Sequence, residues 1–214
     1  MTTYSKSTLS NIQFIGSALS PLYLQEPTSE QATPILDAIS TLDVEEAASV
    51  WPFAEKVTAC EAIGAMTAYL RENQDKEEML WEFRRLFAGP GKKMAPPWGS
   101  VYTDKECVVF GLTTLDLMAW MRANEIHYSK SDKVPMDHIG LMLNMMSLLA
   151  NDKPEILEDF LQNHLLTWSS HFFDYMQANT ENEFYCALAK ISKASLEGIQ
   201  ETLNIEVTYP KFYK

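Results

Sequence analysis

Between Asp137 and Ala150 the sequence offers almost no polar face: Ile139, Leu141, Met142, Leu143, Met145, Met146, Leu148 and Leu149 are interrupted chiefly by Asn144 and Ser147. At 3.6 residues per turn such a run coats a helix on every side. A helix without a wet side has to lie inside the fold, with other elements wrapped about it. The run is too short to cross a bilayer, which takes about 20 apolar residues. This segment therefore asks for a globular chain with enough amphipathic helix to cover it, and the remaining sequence supplies that. Leu9, Ile12, Ile15, Leu19 and Leu22 recur at intervals of three and four, which places them on one helical face. Pro21 predicts a bend or an end near the last turn of that helix.

Further helices are predicted over residues 34–40, 45–50 and 56–71. Asp75 is expected to cap another, which carries Met79, Phe83, Leu86 and Phe87 and stops at Gly89-Pro90. A Thr113-x-x-Asp116 box should open a helix reaching about Asn124, and a Thr180-x-x-Glu183 box the last one, ending near Leu203. Pro154 suits the first turn of a helix carrying Leu157, Phe160, Leu161, Leu165 and Trp168, with a short helix over 170–177 after it. From Gly89 to Gly111 there are three prolines and four glycines and no amphipathic period, which predicts a loop with a short extended piece at Cys107–Phe110. Trp98, Val101, Tyr102 and Phe110 should bury rather than disorder it. The tail from Glu206 has no period and is expected to be loose. The total is about nine helices and no convincing strand pair. The class is all-α, a single domain over 1–214 with lobes of about 1–126 and 137–207 around a polar hinge at 127–136.

Lys and Arg number 17 against 29 Asp and Glu, a formal charge of −12. Nucleic acid and anionic membrane surfaces both call for a basic face, and none is visible. A Lys- or Arg-bearing peptide would be attracted instead. Cys60, Cys107 and Cys186 are odd in number and form no CxxC, so no disulfide framework or zinc site is suggested, and small buried hydrophobes in a reducing compartment are expected. The first residues lack a basic stretch followed by an apolar run, and Arg84-Arg85 lies mid-chain in a helical pattern, so neither reads as an export signal. A cytoplasmic protein is expected.

Enzyme motifs are absent: there is no GxxxxGK[ST], GxSxG, HExxH or GxGxxG, and GPGKK at 89–93 has the wrong spacing for a phosphate loop. His164 and His171 could share a helical face but lack a third metal ligand. Asp137 and His138 point about 100° apart on a helix and cannot act on each other as a dyad. The plain reading is a cap plus a satisfied histidine. Their place, where the hinge meets the most buried helix, makes them candidates for a binding cleft, or, as the alternative, the centre of a metal-dependent hydrolase. Trp98, held by Pro96-Pro97 and followed by Gly99, is either a rigid binding anchor or a plug of the loop onto the core. The four methionines within 136–146 could form an adaptable surface, but buried packing is the expected role.

Leu86-Phe87-Ala88-Gly89-Pro90, Pro96-Pro97-Trp98-Gly99-Ser100-Val101-Tyr102, Pro135-Met136-Asp137-His138-Ile139 and His164-Leu165-Leu166-Thr167-Trp168 occur in that order in an all-helical chain. Together they resemble the TorD/DmsD family of redox-enzyme maturation (Tat proofreading) chaperones, most closely its dimethyl sulfoxide reductase branch, over essentially the whole chain. The resemblance implies a protein without catalysis and without a cofactor of its own. It implies binding of the twin-arginine signal peptide of a molybdoenzyme catalytic subunit, retention of the precursor from the Tat translocase, and assistance to folding and cofactor insertion. Tat translocase components are further implied partners, and monomer and domain-swapped dimer both remain open. The implied leader-binding residues are Phe83, Leu86, Phe87, Pro97, Trp98, Asp137 and His138. Two positions depart from the family pattern: Val134 replaces a frequent acidic residue, and Phe83, with Trp81 nearby, replaces a tryptophan. An Asp in an apolar cleft could pair with a leader arginine through two hydrogen bonds. His138 is expected to add polar contact or pH sensitivity.

Overall fold

The computed structural model describes residues 4–73, 75–127 and 135–214. Most of the expected hinge, and Val134, lie outside the described residues. Those described form eleven α-helices and no named strand: α1 Lys6–Leu24, α2 Thr33–Ser40, α3 Val44–Val50, α4 Lys56–Glu72, α5 Glu77–Phe83, α6 Ser100–Thr103, α7 Leu112–Ala123, α8 Ile139–Asp152, α9 Leu157–Phe160, α10 Ser169–Ala178 and α11 Glu183–Leu203. The class is all-α as the periodicity predicts, with a count above nine. One helical turn, α6, lies inside the stretch expected to be loop, where Pro96, Pro97 and Gly99 hide any period. Two compact units divide the chain. One gathers the described residues up to Ser20, Pro97–Phe172 and Ile205–Lys214; the other gathers Pro21–Pro96 and Phe173–Asn204. Both flanks of the 127–136 segment belong to the first unit.

In the first unit α8 is the central element, with ten of its fourteen residues buried. Met136, Met142, Met145 and Met146 are all buried, so the methionine run is packing and not surface. Close approach of α1 to α8 depends on small residues. A Cβ at Gly16 would stand 2.5 Å from the Leu143 carbonyl oxygen. Around that point Ser20 donates to Gly140 O (2.9 Å), Ser147 donates to Gln13 O (3.0 Å), and the Ser17 and Ser147 hydroxyls meet at 2.8 Å. Each hydroxyl finds a partner, so polar atoms enter this seam at little cost. Pro21 lies in the last turn of α1, which ends at Leu24.

The structure departs from the sequence pattern at several local points. Thr113 and Asp116 form no capping box. The Leu112 amide donates to Asp104 Oδ2 (3.3 Å), and the Thr113 hydroxyl is engaged by Thr103. Cys107–Phe110 is not extended: Cys107 and Phe110 have φ of 50° and 66°, and Phe110 is 44% exposed rather than buried. The tail is seated, not loose, with Gln162 donating to Glu206 O (2.7 Å) and Tyr213 N donating to Tyr102 O (2.8 Å). These ties are to single residues and have no helical or strand period, so pattern alone does not reveal them.

In the second unit α4 packs against α2, α3 and α11. Asp75 does support α5, accepting the Glu77 amide at 3.1 Å. α11 is capped by Asn182, whose side chain accepts from Tyr185 N, and not by Thr180, which donates instead to Glu82 at 2.5 Å. α5 passes into a π turn, Arg84–Ala88, which ends at Gly89. The three cysteines are free and half-buried rather than fully buried, and Cys60 Sγ lies 3.3 Å from Glu45 Oε1.

Candidate functional site

Three of the sequence motifs converge within the first unit. The Pro97–Ser100 turn is clipped to the start of α8: Ile139 N donates to Pro97 O (2.7 Å), and Gly99 N donates to Asp137 O (3.1 Å). Ser100 N donates to Asp137 Oδ2 (2.7 Å). Ser100 is the first residue of α6, so Asp137 caps α6 and not the helix it precedes. α8 is capped by His138, whose Nδ1 accepts from Gly140 N at 3.1 Å. The Trp98 ring meets His138 edge to face, with centroids 5.7 Å apart. Beneath the turn lies Trp168 of the third motif. A Cβ on Gly99 would stand 2.7 Å from Trp168 Cε2, so glycine is needed there for contact rather than for its backbone angles. Trp168 stacks on Tyr102, with centroids 6.2 Å apart and planes 14° apart.

Asp137 is 1% exposed, and its Oδ1 has no hydrogen-bond partner among the described residues. A buried carboxylate with one oxygen unsatisfied is costly unless something else requires it. Pro97 is buried beside it, while Trp98 and His138 are half-buried. Burial pushes the His138 imidazole down to about 3. Protonating Nδ1 would set a donor against the Gly140 amide, which reinforces the neutral ring. The pH sensitivity expected of His138 is therefore moved out of the neutral range. His164 lies against Trp120 and is likewise lowered by burial, while His171 stacks on Phe212. The described residues include no cluster of three or more His, Cys, Asp or Glu able to hold a metal, so the hydrolase alternative finds no ligand set there.

Phe83, Leu86 and Phe87 belong to the second unit and are buried. Phe87 meets Phe83, Tyr23 and Tyr185 at centroid distances of 5.3, 5.8 and 5.8 Å. These side chains are the inner support of a segment whose other side is open. There a groove of about 970 Å³ is lined by α5, the Gly89–Lys92 loop and residues 178–182. Trp81 stands in it 70% exposed. Both groove arginines are already used: Arg84 makes a two-pronged pair with Glu26 (2.9 and 2.9 Å), and Arg85 one with Glu82 (2.6 and 2.8 Å). Burial alone would raise the Glu82 carboxyl, but hydrogen bonds from Arg85 and Thr180 hold it below its ordinary value. The described groove charges outside these pairs are Glu78, Glu181 and Lys92, two carboxylates against one ammonium. The sequence pattern did not single out Trp81 as a groove residue, because it falls off the Met79, Phe83, Leu86 stripe. That same displacement, a large aromatic off the buried face, is the signal that could have found it.

A family model described as "Nitrate reductase delta subunit" matches residues 54–174. The probable Tat proofreading chaperone DmsD of Haemophilus influenzae is 32% identical over 209 residues, covering 98% of this chain and all of that protein. The Tat proofreading chaperone DmsD of Salmonella typhimurium is 32% identical over 197 residues, 92% of each chain. The chaperone protein TorD of Vibrio vulnificus is 24% identical over 189 residues, 81% of this chain and 85% of its own length.

Proposed function

Since this chain belongs to the TorD/DmsD family of Tat proofreading chaperones, which act in redox-enzyme maturation and are not enzymes, we propose that it binds the twin-arginine signal peptide of a molybdoenzyme catalytic subunit of the dimethyl sulfoxide reductase type in the cytoplasm. In this reading it holds the precursor until folding and cofactor insertion are complete, and only then is the precursor exported. No described helix is long and apolar enough to cross a membrane.

The observation that carries the reading is the open groove of the second unit. A leader is basic at one end and apolar in its middle. Trp81 offers an exposed, rigid aromatic for the apolar part, and Glu78 and Glu181 offer carboxylates for the basic part, in a chain of charge −12. Phe83, Leu86 and Phe87 would act by fixing the segment beneath. In the first unit, Trp98 and His138 present half-buried rings, and the unsatisfied Asp137 oxygen is an acceptor that a guanidinium could reach once the Pro97–Ser100 turn opens.

Calorimetric titration with a synthetic leader, beside one whose twin arginines are alanines, tests this. Saturable one-to-one binding that weakens in the alanine leader is expected. Equal binding of both leaders, or of neither, overturns the proposal.

A further inference from the structure

Five of the twelve large apolar residues that stand exposed among the described residues fall within eight consecutive positions: Val108, Val109, Phe110, Leu112 and Leu115. Singly exposed side chains need no explanation, but a run of them marks a surface that meets something. All five belong to the first unit. α7 turns Thr114, Leu117 and Met121 inward, so Leu112, Leu115 and Ala119 form its outer face, and the two leucines are 70% and 53% exposed.

The loop before α7 is built to hold this display. Asp104 Oδ1 accepts from Glu106 N (2.9 Å), its Oδ2 from Leu112 N (3.3 Å), and its carbonyl from Cys107 N (3.0 Å). A Cβ on Gly111 would stand 2.7 Å from Asp104 Oδ2, so only glycine lets the chain wrap this closely. Cys107 and Phe110 are held at φ of 50° and 66°, a region that costs any residue with a side chain conformational energy. Hydrophobic collapse gains nothing from a strained backbone that leaves valines and a phenylalanine facing water. The local bonds therefore fix these residues as a surface.

Beside the apolar strip runs an acidic edge. Asp116 stands exposed on α7 one turn from both Leu112 and Trp120, and the Trp120 indole donates to Asp159 Oδ2 at 2.5 Å. Neither carboxylate forms a salt bridge among the described residues. Their charges oppose the burial that lowers the His164 imidazole. Lys105 and Glu106 offset each other in the loop, and Arg122 lies in the last turn of α7, on the other flank of the strip. An apolar strip bordered by two carboxylates and an indole complements a segment that is apolar along its length and cationic at one end.

We propose that the outer face of α7, together with the 108–110 loop, is the docking surface for the apolar middle of the leader, and that Asp116 and Asp159 favour a cation at one end of it. The proposal rests on the leader-binding reading given above and names the surface that takes the apolar stretch beyond the aromatic offered by Trp81. The lengths agree. The apolar middle of a signal peptide has about 7–15 residues, and the twelve residues of α7 extend about 18 Å. A helical segment of that length can lay its apolar face along the strip.

The test is calorimetric titration with the synthetic leader and with one whose apolar middle carries two serines in place of leucines. The proteins compared are the parent, Leu112→Ser/Leu115→Ser and Asp116→Asn. Both leucines are exposed, so the double variant should melt with the parent yet bind the leader about tenfold more weakly. The serine leader should bind parent and double variant alike, because each change removes the same contact. Asp116→Asn should bind with a shallower dependence on salt. Equal binding of the unaltered leader by parent and double variant overturns the docking surface and leaves the leader-binding reading standing. A serine leader that still loses tenfold on the double variant also overturns it, since the two losses are then independent. A parent that sediments as a dimer, beside a monomeric double variant of unchanged leader affinity, gives the face to a second copy instead. No leader binding by the parent sinks the leader-binding reading, and this surface with it. Should the double variant fail to fold, Asp116→Asn decides, and an unchanged affinity and salt slope overturns the proposal.

Discussion

Replacing Asp137 with alanine removes the acceptor for the Ser100 amide, a bond of 2.7 Å buried under the Pro97–Ser100 turn. Loss of a side-chain cap costs about 1 kcal/mol, and a buried hydrogen bond to a charged group about 1.5–3 kcal/mol. Working against this, the substitution also removes a buried charge with one unsatisfied oxygen, which costs the folded state desolvation energy. The net expectation is a loss of about 2 kcal/mol, or about 4–8 °C in Tm for a chain of this size. An asparagine side chain would keep an acceptor for Ser100 N while losing the charge, so Asp137→Asn should melt within about 3 °C of the parent. Circular dichroism at 222 nm, pH 7, with all three proteins at one concentration, reads both shifts. An alanine variant melting within about 1 °C of the parent would refute the capping role of Asp137. The pair also separates two uses of the residue. If the asparagine variant keeps its fold but loses leader affinity, the charge contacts the ligand; if it binds as the parent does, Asp137 only positions the turn.

Other expectations follow from the same geometry. His138 has a folded pKa of about 3, below its ordinary 6.5, so its contribution to stability is full above pH 6.5 and is lost as pH falls toward 3. His138→Asn keeps a capping acceptor that does not titrate, so its melts should change less between pH 6.5 and 5; His164, lowered in the same direction by burial, contributes a slope of the same sign that the substitution leaves in place. Trp81→Ala should leave the melt unchanged, because the side chain is exposed, yet weaken leader binding about tenfold; equal affinity would remove the groove from the binding site. A Cβ at Gly198 would fall 1.7 Å from the Phe53 carbonyl oxygen, so Gly198→Ala should melt well below the parent or accumulate as insoluble protein; a melt within about 2 °C would mean the backbone yields there at little cost. Breaking the half-exposed Arg84–Glu26 pair with Arg84→Ala should leave the denaturant midpoint nearly unchanged, because solvent screens the pair; a clear fall in the midpoint would show that it holds the segment in place.

Helical periodicity and the unbroken apolar run at 139–150 determined, without any coordinates, that this chain is all-α with α8 buried, because those patterns come from local geometry that every helix shares. Composition, with a formal charge of −12, carried the expectation of a basic peptide over nucleic acid as a partner. The motifs marked the residues of the turn. Tertiary structure decided what those residues do. Asp137 and Ser100 are 37 residues apart, and only folding shows that one caps the other while His138 caps α8. Capping residues were misassigned at α7 and α11 for a related reason: Asp104 and Asn182 win over Thr113 and Thr180 through chain direction and competing partners, which a spacing rule does not contain. The seated tail was invisible to pattern because single-residue ties carry no period. Local repetition is written in the sequence; which distant polar atom satisfies which is settled only when the chain closes on itself.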